Sequence, residues 1–391
     1  MRIFANVHRI ICNIEHMFLQ YFFCWGILKT MEKIYDLIII GGGAAGMAAG
    51  VTACRRGKRV LIVESEDKLG KKILVTGNGK CNLSNVNVSA EKYNTSFVNN
   101  ALCEDVIGFF HSLGLATKQT DDRIYPYSES ALSVVNALRK NYSGDVKLSC
   151  PVEKIEREND LFIVAGEKGK AVLLATGSNA TKGRDSAFLL SPFGHTCTEK
   201  YPSIVPLVTD TEYTKPIANI RVKGTIKLIK DTHIVKEEKG EILFKTNGVS
   251  GIASMMLSTF MARERGKYDL SIDLVDDRAE EEVAKYVHHA GAESFLQKAV
   301  AQCVEKQSRV RGISVEKCLK DFRINNARLG DVKNAQVVCG GLATDKFDDD
   351  FMSKKVKNLY ACGEVLDVDG ECGGFNLHFA FASGIKVGRV C

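Results

Sequence analysis

A glycine-rich stretch between two short apolar runs constrains the fold of this chain more than any other feature. Residues 35–40 are apolar and rich in β-branched side chains, which predicts a buried strand. Three glycines with the spacing Gly-x-Gly-x-x-Gly follow at once: Gly41, Gly43 and Gly46. An alanine-rich helix is predicted at 47–56 and a second strand at 58–63. This order is typical of a βαβ unit that binds a dinucleotide, rather than of a purely structural turn.

Each part of this motif has a physical reason. Gly41 permits the tight turn, Gly43 lets a pyrophosphate approach the backbone, and Gly46 lets the helix pack closely on the strand. The N–H groups at the start of the helix favour phosphate. Glu64 ends the second strand, where its carboxylate can accept hydrogen bonds from the ribose hydroxyls of adenosine and repel a 2′-phosphate.

Three later segments favour FAD over a nicotinamide dinucleotide. Residues 171–177 predict an apolar strand that ends in small residues, and 359–364 predict another that closes on Gly-Glu. Residues 373–384 predict a glycine turn that enters a helix. Two-dinucleotide-fold flavoproteins use such an arrangement to wrap an extended FAD, with adenosine at the first half and flavin at the last. No second Gly-x-Gly-x-x-Gly motif occurs, so NAD(P)H would visit the flavin only transiently.

Two longer segments carry a family resemblance. Residues 70–85 resemble the second signature of the BaiN/YhiN flavoproteins, which are NAD(P)/FAD-dependent oxidoreductases also described as aminoacetone-oxidase-like, and 363–377 resemble their C-terminal signature. Weaker matches lie at 123–126, 201–207, 240–244, 248–251 and 337–341. The resemblance runs from about Met31 to the C-terminus and implies no single substrate. Some members are linked to bile-acid reduction.

The resemblance implies an α/β fold: a discontinuous, Rossmann-like two-dinucleotide-fold FAD domain with an inserted β-barrel-like domain that carries a small helical subdomain. The implied division is a non-native extension at 1–30, FAD-domain parts at 31–190 and 337–391, and an insertion at 191–336 with a β-rich part, 195–273, and a helical part, 274–325. The chain departs from the family pattern at three places: the 77–79 triplet, His378 where glutamine is common, and a short 273–320 segment.

Local patterns predict the elements of the insertion. Strands are predicted at 203–208, 221–230, 233–239 and 241–246, since alternation such as that of 226–230 is typical of half-exposed antiparallel strands. Apolar residues at three- and four-residue intervals predict a helix over 277–309.

The N-terminal segment differs from the rest. Its apolar run, 18–28, is shorter than the roughly 20 residues that span a bilayer, and no small-residue cleavage site follows. We expect Met31 to be the true start; the alternative is a weak membrane-surface anchor. No stable membrane association is expected.

Composition argues against several classes of protein. The 53 Lys and Arg against 47 Asp and Glu give a net charge of +6 without a basic block, so no nucleic-acid partner is expected. The 13 cysteines form no CxxC pair and no zinc spacing, which predicts reduced thiols, a cytoplasmic location and no metal site. The oligomeric state stays open.

The predicted cofactor-binding residues come from the motif and the resemblance together. They are Gly41, Gly43, Ala45, Gly46, Glu64, Lys72, Thr76, Gly77, Gly79, Asn82, Val152, Ala175, Thr176, Gly177, Gly363, Glu364, Gly374, Phe375 and Asn376. The amides at 373–376 are suited to the negative charge of reduced flavin; the alternative is a plain helix cap. Lys71 or Lys72 could bind a phosphate or stabilise the flavin charge, or both could be solvated. Cys81 is interpreted as a packing residue rather than a redox thiol.

Flavin carries the redox chemistry, so no catalytic triad is expected. Arg123, Tyr125 and His378 are the candidates to donate a proton or bind a substrate oxygen, and each could equally be structural. We expect non-covalent FAD to transfer hydride from NAD(P)H to a small or medium hydrophobic organic substrate. The alternatives are an oxygen-using oxidase of a small amine or ketone, and a flavin-binding RNA-modifying or regulatory protein.

Overall fold

The computed structural model describes residues 33–180 and 185–391, so the predicted extension at 1–30 lies outside the described residues. The strands are β1 (Ile34–Ile40), β2 (Val60–Val63), β3 (Ser84–Asn85), β4 (Thr117–Thr120), β5 (Arg123–Pro126), β6 (Asp145–Lys147), β7 (Ile155–Glu158), β8 (Leu161–Val164), β9 (Glu167–Leu174), β10 (Tyr201–Ser203), β11 (Leu207–Val208), β12 (Arg221–Lys230), β13 (His233–Lys245), β14 (Gly248–Ser250), β15 (Tyr268–Asp273), β16 (Phe322–Leu329), β17 (Val337–Cys339) and β18 (Leu359–Ala361). The α-helices are α1 (Ala44–Arg55), α2 (Asn99–Leu102), α3 (Val106–Ser112), α4 (Ala131–Asn141), α5 (Ile252–Arg263), α6 (Glu280–Ala290), α7 (Lys298–Arg311), α8 (Val315–Lys320) and α9 (Phe375–Val390).

A largely parallel sheet carries the glycine motif. Its parallel strands run in the order β6-β2-β1-β9-β18, and the hairpin of β7 and β8 extends it beyond the first half of β9. The apolar side chains of β1 and β2 are buried on both faces, as is typical of parallel strands covered by helices. Ile40 lies opposite both Val63 and Leu174, so three strands end at one edge, directly before the glycine loop.

Helix α9, near the C-terminus, packs against α1, near the start of the described chain. A Cβ atom at Gly384 would overlap the carbonyl oxygen of Ala45, and one at Gly388 would lie 2.5 Å from that of Ala49. The two glycines therefore let α9 approach the backbone of α1 more closely than any other residue would allow. This packing brings the C-terminal helix to the glycine motif.

The second sheet is a closed antiparallel barrel with the strand order β11-β14-β13-β12-β15-β16. Its interior is filled by apolar side chains such as Leu228, Phe244 and Ile272, and α5 to α8 add to the same core. A third, small sheet has the order β3-β5-β4, and its Ser84 contacts the start of α9. The predicted fold class, a Rossmann-like sheet with an inserted barrel and helices, is confirmed. The domain limits stay a prediction.

Four predicted elements are wrong in detail. The strand expected at 203–208 is split into β10 and β11, because Ile204 has φ +49° and turns the chain between two sheets. The strands expected at 233–239 and 241–246 are one strand, since Gly240 pairs in register with Gly224. The helix expected at 277–309 is broken after α6, where Gly291 has φ +63°.

Two further observations concern the described residues. No helix within 33–180 or 185–391 is both long and apolar enough to cross a membrane. All cysteines in these ranges are free thiols, as predicted, whereas Cys12 and Cys24 lie outside them.

Candidate functional site

The glycine loop after β1 has the conformation that the motif requires. Gly41 has φ +103°, and a Cβ atom there would lie 2.6 Å from the carbonyl oxygen of Ala175. A Cβ atom at Gly46 would overlap the carbonyl oxygen of Gly41, so both positions need glycine for packing. At Gly43 a Cβ atom would meet no protein atom within 4 Å. The loop is therefore closed on its protein side and open on the side that Gly43 faces.

That open side is a cleft of about 530 Å³ at the carboxyl edge of the parallel sheet. The predicted cofactor-binding residues that line it are Gly41, Gly43, Glu64, Lys72, Val152, Ala175 and Thr176. The residues that the sequence did not indicate include Gly42, Val63, Ser65, Glu66, Val75, Cys150, Pro151, Glu153 and Phe188. A volume of this size and a position outside strand ends are typical of ligand sites in α/β proteins.

Backbone groups hold the Glu64 carboxylate at this cleft. Its Oε2 accepts a hydrogen bond from the N–H of Gly42 at 2.6 Å, and its Oε1 accepts one from the N–H of Glu66 at 2.9 Å. The Ser65 hydroxyl donates to Oε1 at 3.1 Å. A carboxylate keeps further lone pairs after such bonds, so Glu64 can still accept from ribose hydroxyls.

The apolar wall of the cleft is formed by segments other than the glycine loop. The segment after β6 wraps around the end of β2, with the N–H of Cys150 donating to the carbonyl of Glu64 at 2.9 Å. Val75 and Phe188 stand at the cleft with 62% and 54% of their surface exposed. The carboxyl-edge rule for parallel strands could have indicated the segment after β6, but no sequence signal indicates Phe188.

The start of α9 forms a second group of predicted residues. Gly374 has φ +105°, and a Cβ atom there would lie 2.6 Å from the carbonyl oxygen of Ser84 and 2.8 Å from Oδ1 of Asn82. Phe375 is buried, and its carbonyl accepts a hydrogen bond from Tyr93 at 2.8 Å. The predicted residue Asn82 therefore lies against the predicted helix start.

Asn376 is bound to its own loop. Its Oδ1 accepts from the N–H of Gly370 at 2.8 Å, and its Nδ2 donates to the carbonyl of Gly370 at 2.9 Å. These two bonds shape the turn before α9, which makes Asn376 a positioning residue for the loop. The predicted contact of Asn376 with the cofactor stays a prediction.

The predicted residues at 76–79 form an exposed turn. Gly77 and Gly79 have φ +54° and +84°, and the Thr76 hydroxyl donates to the carbonyl of Ile73 at 2.7 Å. A Cβ atom at Gly77 would lie 3.9 Å from the Tyr125 ring, so this turn adjoins β5.

Gly363 and Gly177 connect the two groups. A Cβ atom at Gly363 would lie 2.9 Å from that of Ala45 on α1. One at Gly177 would lie 3.4 Å from Nζ of Lys72 and 3.8 Å from Oε2 of Glu364. Burial raises the pKa of Glu364, and the nearby Lys72 ammonium opposes that rise.

The three candidate catalytic residues lie in two different places. The Arg123 guanidinium is hydrogen-bonded to the Tyr125 side chain and lies near Cys372, which comes just before α9. His378 instead lies one turn inside α9, 8% exposed, with Nδ1 at 2.8 Å from the Ser84 hydroxyl. Burial lowers the pKa of His378 to about 4, so its ring is neutral at physiological pH. Which of these three residues takes part in catalysis stays a prediction.

Cys81 is fully buried, and burial raises the pKa of its thiol to about 12. A reactive thiol needs a lowered pKa and access, so the structure favours the packing role.

Several polar atoms test whether the residues present fit a dinucleotide. Within 33–180 and 185–391, Thr176 Oγ1 and Asn82 Oδ1 are buried without a hydrogen-bond partner. Thr176 lines the cleft that the glycine loop opens, beside the N-terminus of α1 and the Glu64 carboxylate. The helix start suits phosphate, Glu64 suits a ribose, and the apolar wall suits an aromatic base. The residues present therefore fit the adenosine diphosphate part of a dinucleotide such as FAD.

Comparison with known proteins agrees with this geometry. The family model described as "HI0933-like protein Rossmann domain" matches residues 35–390, which is nearly the whole described chain. The chain belongs to the HI0933-like family. It is thus an FAD-dependent oxidoreductase, and the resemblance inferred from the two signatures is confirmed.

Three curated relatives that match this HI0933-like protein over nearly their whole length carry two kinds of name. It is 29% identical over 399 residues to the 3-dehydro-bile acid delta(4,6)-reductase of Clostridium scindens, covering 90% of this chain and 98% of the relative. It is 27% identical over 400 residues to the ribosomal RNA dihydrouridine synthase of Escherichia coli, covering 90% and 96%. The second relative weakens the prediction that no nucleic acid is a partner.

Among solved structures, the 3-ketosteroid-delta4-(5alpha)-dehydrogenase of Rhodococcus jostii RHA1 is 14% identical with a TM-score of 0.45. That alignment covers 92% of this chain and 98% of the dehydrogenase.

Proposed function

We propose that this protein reduces a carbon–carbon double bond conjugated to a carbonyl group, in a small or medium hydrophobic organic molecule, with NAD(P)H as the electron donor. The observation that carries the proposal is the chemistry shared by the names of its relatives. A delta(4,6)-reductase and a dihydrouridine synthase both add hydrogen across a carbon–carbon double bond. The relatives differ in substrate and agree in reaction type.

Two residues of β5 suit this reaction. FAD, when bound, supplies a hydride for the double-bond carbon remote from the carbonyl, after NAD(P)H has reduced it. Arg123 and Tyr125 offer a cation and a hydroxyl side by side on β5. Such a pair can hold the carbonyl oxygen and neutralise the charge that develops there, while a proton reaches the neighbouring carbon.

The proposal is tested by two half-reactions without oxygen. The FAD-loaded protein is mixed first with NADH or NADPH, and loss of the visible flavin absorption is followed. The reduced protein is then mixed with a panel of cyclic unsaturated ketones, and saturated matching ketones serve as controls. We expect reoxidation only by the unsaturated members, with the saturated product found by mass spectrometry. Rapid reoxidation by oxygen with peroxide, and none by the ketones, would instead support an oxidase.

The variant Tyr125→Phe tests the assigned residue in the same assay. It should slow the second half-reaction by about 10²-fold or more, as loss of a positioned proton donor does, and leave FAD content unchanged. An equal rate for the variant and the parent would remove Tyr125 from the chemistry.

A second candidate is reduction of a uracil ring in RNA. Its support is specific: two relatives, at 27% and 25% identity over nearly full length, are named ribosomal RNA dihydrouridine synthases. The same reduced protein, mixed with ribosomal RNA in place of the ketones, distinguishes the two. Reoxidation by RNA with formation of dihydrouridine, and none by the ketones, would favour the RNA substrate.

A further inference from the structure

Two adjacent lysines at the cleft have different surroundings. Lys71 is exposed, and its Nζ is bound to Oε2 of Glu66 at 2.6 Å and lies 3.5 Å from Oδ1 of Asp67. Lys72 is partly buried and lines the cleft, where its Nζ donates to the carbonyl of Ser178 at 2.5 Å. Within the described ranges, no carboxylate oxygen comes within 4.0 Å of the Lys72 Nζ. The outer lysine thus has contacting carboxylates, and the inner one has none within this distance.

The backbone places Lys72 beside the glycine loop. The N–H of Gly70 donates to the carbonyl of Gly42 at 2.8 Å, which ties the segment that carries Lys72 to the loop. On the other side, a Cβ atom at Gly177 would lie 3.4 Å from the Lys72 Nζ. The ammonium therefore lies between the loop after β1 and the chain that leaves β9. Both are carboxyl ends of parallel strands, where phosphates bind in this class of fold.

The charges around Lys72 leave room for an anion. An ammonium has three N–H donors, and Ser178 accepts only one of them. Glu364 and Glu64 attract the ammonium from a distance, whereas burial lowers the pKa of Lys72. A buried cation without a contacting counter-ion is costly, and an anion in the cleft would remove that cost. The N-terminus of α1 borders the same cleft, and its first N–H groups have no partner inside the helix.

We propose that the Lys72 ammonium binds the pyrophosphate of the dinucleotide from the side opposite α1, and that Lys71 takes no part in this contact. The proposal rests on FAD as the cofactor, and it deepens the proposed function by assigning the cation of the phosphate subsite. Lys72 is then a binding residue, while Glu364 and the Ser178 carbonyl are positioning groups that hold its ammonium at the cleft.

The test compares Lys72→Met with its neighbour Lys71→Met as the matched control. The cofactor is removed from each protein, and FAD is titrated back while its fluorescence is followed. We expect Lys72→Met to weaken FAD binding by about 10- to 100-fold, the range of a lost charged hydrogen bond, and Lys71→Met to change it by less than about twofold. Lys72→Arg should recover part of the loss. Equal affinity of Lys72→Met and the parent protein would overturn the proposal.

A second titration identifies the atoms that Lys72 binds. ADP and adenosine are used as the probes, because they share the ribose and the adenine and differ in the phosphates. The parent protein and Lys71→Met should prefer ADP over adenosine, and Lys72→Met should lose most of that preference. Loss of both ligands in equal measure would show a purely structural role and overturn the proposal. If Lys72→Met does not fold, Lys72→Gln is used, and an unchanged ADP preference in a folded Lys72→Gln again overturns it.

These binding measurements are independent of the proposed reaction. A failure of the Lys72 assignment appears as an unchanged ADP preference in a protein that still reduces unsaturated ketones. A failure of the proposed function appears as absent ketone reduction in a protein that still binds FAD through Lys72.

Discussion

Acid should destabilise this protein through one buried imidazole. The His378 ring is 8% exposed, its Nδ1 lies 2.8 Å from the Ser84 hydroxyl, and no carboxylate contributes to its pKa. In the described part of the chain its Nε2 is buried without a partner, so a proton there would be both desolvated and uncompensated. The perturbation is a fall in pH, with His378→Gln as the variant that removes the titration.

The magnitude follows from the shift in pKa. Burial lowers the pKa of His378 from 6.5 to about 4, and each unit corresponds to about 1.4 kcal/mol. Below pH 6.5 the unfolded chain binds a proton that the folded chain does not, so the free energy of unfolding falls as pH falls. The loss should reach about 2 kcal/mol at pH 5 and about 3 kcal/mol near the folded pKa, and then stop growing.

The assay is urea unfolding of the parent protein and His378→Gln at matched FAD saturation, at several pH values between neutral and the folded pKa. Other acidic and basic groups titrate equally in both proteins, so the difference between the two free energies isolates His378. That difference should shift by about 3 kcal/mol over the range, in the direction that favours the variant in acid. Two curves that stay parallel over this range would refute the argument from burial.

Three further outcomes concern the glycine loop and the start of α9. Gly43→Asp should abolish most FAD binding and leave folding intact, because its side chain enters the open cleft. Glu64→Gln should weaken the free energy of FAD binding by only about 1–2 kcal/mol, and fluorescence titration of both variants measures which one loses more affinity. Gly46→Ala should lower the free energy of unfolding by about 1–3 kcal/mol, since its Cβ would overlap a backbone carbonyl, and an unchanged melting temperature would contradict this. Gly374→Ala should weaken FAD binding, because both its φ of +105° and the 2.6 Å approach to Ser84 forbid a Cβ without a shift of the helix start; unchanged FAD affinity would count against that role.

Much of the fold could be predicted because its signals are local. The strand of β1, the glycine spacing and the acid at the end of β2 lie within one short segment, and each has a steric reason that holds wherever the segment occurs. Predictions failed where one residue redirects the chain. Ile204 adopts φ +49° and splits the predicted strand. A β-branched apolar residue rarely adopts a positive φ, so the sequence does not indicate this conformation.

In the candidate site too, local signals predicted some features, and contacts between distant segments decided the others. The sequence predicted Lys72 as a cofactor-binding residue but left open whether Lys71 or Lys72 meets a phosphate. The structure places Lys71 at the surface beside Glu66, whereas Lys72 is partly buried beside the segment that Gly70 ties to the loop. The sequence indicated His378 together with Arg123 and Tyr125, although the helix carries His378 into the core beside Ser84. The side of a helix or turn that faces a ligand depends on contacts between distant segments, and no local spacing contains that information.

By itself, the sequence predicted a dinucleotide phosphate site at a helix start, because close backbone approach at Gly41, Gly43 and Gly46 requires the absence of a side chain. Only the tertiary structure decided which charges and rings meet at that place. Phe188, the 150–153 segment and Lys72 come from separate elements, and they share the cleft because parallel strands end at a common edge. Steric requirements are properties of single residues, whereas a binding surface is a property of the packing that joins them.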